Sequence, residues 1–210
     1  MRFMKKNKHT NAYFISGAAI TVLFIILMLI GLIHTPYDPN AMNGAEKFSS
    51  PSFSHIMGTD NFGRDIFSRV MNGSGNTFFV AVCTVLIGGV IGTAAGALTG
   101  YYGGVLDNVL MRVGDMIMSF PSVLLALIFI SLLGPGKYNI ILALGIIFIP
   151  VFARMVRSEV IRCRELDFVK SAKVMGVGNL RIIFIHILPN ASVSILTTAA
   201  IAFNNAVLSE

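Results

Sequence analysis

The chain contains no tryptophan, only two cysteines, and ten Asp+Glu against sixteen Lys+Arg in 210 residues. Charged residues make up 12% of it and hydrophobic residues 55%, at a mean hydropathy of +0.77. An ordinary soluble domain carries about 25% charge, so this scarcity excludes one and places the chain in a membrane. Cys83 lies in an apolar run and Cys163 in a basic stretch, so they are expected to lie apart and unbridged, which excludes a disulfide scaffold. The net charge of +6 sits in clusters flanking apolar runs, a pattern of topology signals, and no nucleic-acid partner is expected. A phosphate-binding loop is also missing. Gly136-Lys137 has Ser131 where the first glycine is needed and Tyr138 where a Ser or Thr is needed. His34, His55, Asp38 and Asp60 lack metal-ligand spacing, and Met116 and Met118 read as packing residues. No metal and no cofactor is therefore expected. Ser119, Ser122, Ser131 and Thr84 have no histidine within an apolar run, so intramembrane nucleophilic catalysis is not expected either.

What the chain does have is long apolar runs. A span needs about 20 residues without charge. The first such run is 12–33, after the basic tail Arg2, Lys5, Lys6 and Lys8 in residues 1–11. It is too long for a signal-peptide core and has no small-x-small cleavage site, so a retained anchor helix is expected. The second run lies in 70–106, centred on 77–98. The third is 116–133, closed by Gly134-Pro135-Gly136; a shorter fourth is 138–153, and a fifth runs from about 191 onward. The fold expected is all-α, a polytopic helix bundle. With the N-terminus inside, one side holds Arg2, Lys5, Lys6, Lys8, Arg112 and seven basic residues of 154–189, against Lys47, Arg64, Arg69 and Lys137 on the other. That asymmetry predicts a cytoplasmic N-terminus.

Two features lie outside the basic segment. Gly88, Gly92, Gly96 and Gly100 recur every four residues and predict a face where another backbone comes close. The segment 34–72 predicts an extracytoplasmic loop ending in an amphipathic helix. There Asp60 would pair with Arg64 and Asp65 with Arg69, each acid four residues before its base, with Thr59 or Asp60 as the cap. Such a helix could rest on the membrane surface or help dock a receptor.

The basic segment 154–189 carries Arg154, Arg157, Arg162, Arg164, Lys170, Lys173 and Arg181. After Asp167 as N-cap, Phe168, Ala172 and Met175 fall at helical spacing and predict one apolar face, closed by Gly176 as a C-cap. Asn179 then predicts the cap of a second helix with a stripe of Leu180, Ile183, Phe184 and Ile187. The product is a knob protruding from the membrane, suited to a soluble partner or to acidic lipid headgroups.

Lys170-Ser171-Ala172, three residues, Gly176 and then Leu188-Pro189 resemble the coupling signature of binding-protein-dependent ABC importer permeases, with Lys170 and Ser171 departing from its Glu and Ala. His186 to Asn190 resemble the subgroup that handles dipeptides, oligopeptides and nickel. So do Gly58-Thr59-Asp60 with Gly63-Arg64-Asp65 and Ser68-Arg69, the run from Gly100 to Pro121, and Ala153-Arg154 with Arg157-Ser158-Glu159. The resemblance covers most of residues 55 to 190. It implies a type I importer permease in a bacterial inner membrane, with 73–210 as an incomplete permease domain, since the family places six spans in such a subunit. It also implies a second permease subunit, two cytoplasmic ATPase subunits and an extracytoplasmic substrate-binding protein as partners. ATPase coupling would fall to Asp167, Phe168, Ala172, Met175 and Gly176. Peptide cargo is expected, with nickel or a metal chelate as the alternative; a channel or assembly scaffold is a distant one.

Overall fold

The computed structural model describes residues 8–210, with side chains from residue 12 onward. The basic residues Arg2, Lys5 and Lys6 lie outside the described residues. Eight α-helices follow: α1 (Lys8–Ile33), α2 (Ile66–Tyr102), α3 (Gly104–Met118), α4 (Ser122–Leu133), α5 (Lys137–Arg164), α6 (Asp167–Val174), α7 (Asn179–Arg181) and α8 (Leu188–Ser209). Among the described residues the only β-pairing is an isolated bridge between Thr59 and Asp65.

Four helical stretches are long and apolar enough to cross a bilayer: Ala12–Ile33, Ile66–Tyr102, Lys137–Arg164 and Asn179–Ser209. The expected third span is not one helix. Met116 to Met118 end α3, and α4 leaves at 89° to it across a three-residue break. Pro121 explains the break. It has no N–H to continue a ladder, and it biases Phe120 away from helical ψ. The expected fourth span likewise runs on past Ala153 to Arg164, because its basic side chains find carboxylates instead of ending the helix.

The chain forms two compact units, up to Thr77 and from Phe78. In the first, Gly31 lets α1 lie directly on α2: a Cβ there would come 2.5 Å from the Met71 carbonyl oxygen. The intervening loop is organised by a buried polar cluster of His55, Thr59, Asp65 and Ser68.

In the second unit α5 is the central element. Leu144, Phe148, Phe152, Val156 and Val160, four residues apart, are all buried along it. Gly88, Gly92, Gly96 and Gly100 of α2 lie against α5. A Cβ on Gly92 would stand 2.5 Å from the Ile149 carbonyl oxygen, and one on Gly100 2.8 Å from that of Arg157. The stripe therefore seats a helix of the same chain. Beside Gly100, Arg157 Nε and Nη2 donate to both oxygens of Asp107 in α3 at 2.5 and 2.6 Å. Ser194 of α8 donates to Glu159 of α5 at 2.9 Å.

Candidate coupling site

The segment between α5 and α8 folds as a small knob whose apolar side faces its own chain. α6 begins one residue earlier than the sequence predicts: Leu166 is the N-cap and Asp167 the first helical residue. Asp167 there adds a negative charge at the positive end of the helix dipole. Ala172 is 3% exposed and Val169 is fully buried, packed in one cluster with Ile182, Ile183 and Ile187, and with Val156, Val160 and Cys163 of α5. Ala172 thus points inward, away from Phe168 and Met175, which the spacing had put on one face with it. The outward apolar residues are Phe168, Val174 and Met175, the last two 88% and 75% exposed. Lys170 and Ser171 are exposed on the same helix. A buried small residue at 172 lets the helix sit close to its support, so Ala172 anchors the knob instead of lying on its outward face.

Gly176 closes α6 as expected, at φ +75°. Its N–H donates to the Lys173 carbonyl at 3.0 Å, and that of Val177 donates to Ala172 at 3.1 Å. These two bonds satisfy carbonyls left over at the helix end and fix the direction in which the chain leaves. Asn179 does not cap the next helix; Gly178 holds that position. The Asn179 side chain instead accepts a 2.8 Å hydrogen bond from the hydroxyl of Tyr101, at the end of α2. Arg164 donates to the Tyr101 carbonyl at 3.2 Å, and the Lys173 ammonium stands 5.1 Å from the centre of its ring. One tyrosine therefore ties α2, α5, α6 and α7 together. The second predicted stripe is also rotated: Ile182, Ile183 and Ile187 are buried, whereas Leu180 and Phe184 are exposed. The cause is a π-helical stretch over Ile182–Ile187, in which the Leu188 N–H donates to Ile183. Its wider turn joins α7 to α8 without a break and carries Pro189 near the start of α8.

The charged motif in the loop before α2 is built differently from the predicted helix. Asp60 accepts from the backbone N–H groups of Phe62 and Arg64 at 2.8 and 3.0 Å, and pairs with Arg64 Nε at 2.8 Å. Arg69 pairs with this same Asp60, and Asp65 is left to other work. It caps α2 by accepting from the Ser68 N–H at 2.8 Å and holds His55 Nδ1 at 2.9 Å. Burial pushes both carboxyls up, but the hydrogen bonds outweigh it. Those from Arg64 and Phe62 leave Asp60 well below the usual carboxylate range, and those from Ser68 and His55 leave Asp65 below it. The His55 imidazole is raised, first by its hydrogen bond to Asp65 and further by Glu46, whose Oε2 is 3.5 Å from Nε2.

The family described as binding-protein-dependent transport system inner membrane component matches residues 88–210, which include the α2–α5 seam and the whole knob. The chain belongs to this permease family. It is similar to the dipeptide transport system permease protein DppC of Alkalihalophilus pseudofirmus, 38% identical over 98% of the chain and 66% of that relative. The probable D,D-dipeptide transport system permease protein DdpC of Escherichia coli is 34% identical over 93% of the chain and 68% of the relative. The glutathione transport system permease protein GsiD of Pectobacterium atrosepticum is 34% identical over 88% and 67%. The chain thus spans about two thirds of the length of these permeases. The all-α membrane fold of this permease agrees with that membership. Tyr101 and His55 escaped the sequence reading as organising residues. Only an unpaired aromatic hydroxyl at a helix end, and a histidine among loop acids, could have pointed to them.

Proposed function

We propose that the chain is the transmembrane permease subunit of an ATP-driven, binding-protein-dependent importer of di- and oligopeptides. It lies in a bacterial inner membrane with its N-terminus in the cytoplasm. The observation that carries this reading is the knob: a short helix anchored from within by Val169 and Ala172, offering Phe168, Val174 and Met175 outward beside Lys170. Membership of the permease family and the peptide names of the relatives support it. Two ATPase subunits would hold this knob and that of a second permease subunit, each in a cleft. Their closure on ATP would pull on α6, and the π-linked α8 would carry the displacement into the membrane. An extracytoplasmic binding protein would deliver cargo on the side of the Asp60–Arg64 loop. The nickel alternative has no support in the names of these relatives.

The test is disruption of the gene in its host, followed by uptake of labelled dipeptide and of labelled nickel. Loss of dipeptide uptake, restored by the full-length gene, is expected. Unchanged dipeptide uptake with lost nickel uptake would reverse the assignment of cargo. Tagged full-length protein should also co-purify with an ATPase.

A further inference from the structure

A span that exposes polar side chains without partners is costly, and such residues mark the routes of polar solutes. Several polar side chains in this bundle are satisfied locally. Thr99 donates to Ala95, Thr197 to Val193, and Asn139 to the carbonyls that close α4. Ser122, Asn205 and Ser209 are set apart by being gathered at one place. Among the described residues none of their side chains has a hydrogen-bond partner, and all three line one cavity of about 270 Å³. Leu144, Ile147 and Phe148 of α5 form its apolar wall. Ser122 stands at the first residue of α4, directly after the Ser119–Pro121 break, and Asn205 and Ser209 stand one turn apart on α8. Discontinuous helices with polar groups at the break are a recurrent way to build a solute site within a membrane.

We propose that this cavity is a contact site for the main-chain amide of a peptide in transit, a proposal that rests on the importer reading above. The chemistry selects the ligand group. An amide and two hydroxyls offer both donors and acceptors and carry no charge. They match a peptide bond, which needs one of each, and offer no opposite charge to a free ammonium, carboxylate or metal ion. The apolar wall tolerates varied side chains, as a carrier of many peptides requires.

The experiment uses the full-length protein, assembled with its partner subunits in proteoliposomes. It compares uptake of a labelled dipeptide with uptake of the same dipeptide methylated on its amide nitrogen. Measurable uptake of the unmodified dipeptide by the parent protein establishes the importer reading independently of the site. Asn205→Leu is then expected to lower uptake about tenfold, the size of one lost hydrogen bond. It should also bring the preference for the unmethylated peptide close to one, while ATPase stimulation by loaded binding protein persists. Ser122→Ala should shift the preference in the same direction, and it carries the test if Asn205→Leu fails to assemble. Uptake and preference unchanged in both variants would overturn the site. So would a loss of uptake with preference intact, which would make these residues packing groups.

Discussion

Replacing Gly92 by alanine adds one methyl group within the tight middle of the α2–α5 seam. That methyl would stand 2.5 Å from the Ile149 carbonyl oxygen, 2.6 Å from Phe152 Cβ and 3.1 Å from the Ala153 nitrogen. Ordinary contact is about 3.5 Å or more, so the helices must part by about 1 Å, and a gap of that size forfeits a quarter to a half of each dispersion contact along the seam. Overpacking of this kind costs about 1–3 kcal/mol. Alanine returns up to about 1 kcal/mol through better helix propensity, which leaves a net loss of about 1–2 kcal/mol. Gly89 supplies the control, three residues away on the same helix. A Cβ there meets only the Phe152 ring at 3.6 Å, an ordinary distance. Gly89→Ala should therefore be neutral or slightly stabilising. The two variants should differ by about 2 kcal/mol, or about 4–8 °C in Tm for a chain of this size. Thermal loss of the monodisperse peak, followed by size exclusion of the detergent-solubilised full-length protein, measures the difference. If Gly92→Ala melts at or above Gly89→Ala, the close approach of backbones is not what holds this seam.

Three other outcomes are expected. Met175→Asp and Val174→Asp should leave the Tm within about 1 °C, because both residues are exposed, yet abolish co-purification of the ATPase; Ala172→Arg should instead destabilise the fold by several kcal/mol through an unpaired buried charge. Retention of ATPase by both Asp variants would move the coupling role off this surface. With Cys83 and Cys163 replaced by serine, Ser52→Cys should react with an impermeant thiol reagent from outside and Val174→Cys only after permeabilisation, and the reverse pattern would invert the topology; Cys163, 1% exposed, cannot report this itself. His55 faces carboxylates on both ring nitrogens, Asp65 at the start of α2 and Glu46 in the loop, so only the imidazolium can donate to both. Its raised pKa means that its stabilisation is complete below the ordinary histidine value and fades as pH rises through the raised one, whereas that of Asp60 and Asp65 fades only in acid. Limited proteolysis of the loop before α2 should accelerate between about pH 6 and about pH 9 in the parent but not in His55→Gln, and equal protection across that range in the parent would refute the role of His55 in holding the loop.

The sequence showed most where one rule acted alone. Ala12–Ile33 coincides with its apolar run because neither charge nor proline interrupts it. The glycine stripe was legible as a seam, but not which helix it seats, since spacing gives a face and says nothing of its neighbour. Hydropathy averaged across Pro121 and so joined α3 to α4, whose 89° bend is a backbone event. In the knob, apolar spacing found a helix yet misassigned its outward side. Val169 was left out of the predicted stripe, although it and Ala172 are the residues that pack on Ile182 and Ile183. The pairing of Asp65 with Arg69 failed for a similar reason: the i,i+4 rule holds on a helix, and α2 begins only at Ile66. Asp65 is needed there as the cap, a demand worth about 1 kcal/mol.

The unbroken stretch from Asn179 through the π-helical turn to Ser209 is 31 residues, about 46 Å as a helix. One end of this rod is held by Tyr101 at Asn179. Tilted by about 5° around its midpoint, a rod of that length swings each tip by about 2 Å. That throw is comparable to the length of a hydrogen bond, so a tilt that shifts the knob end by one contact's width would shift the Asn205 end by as much.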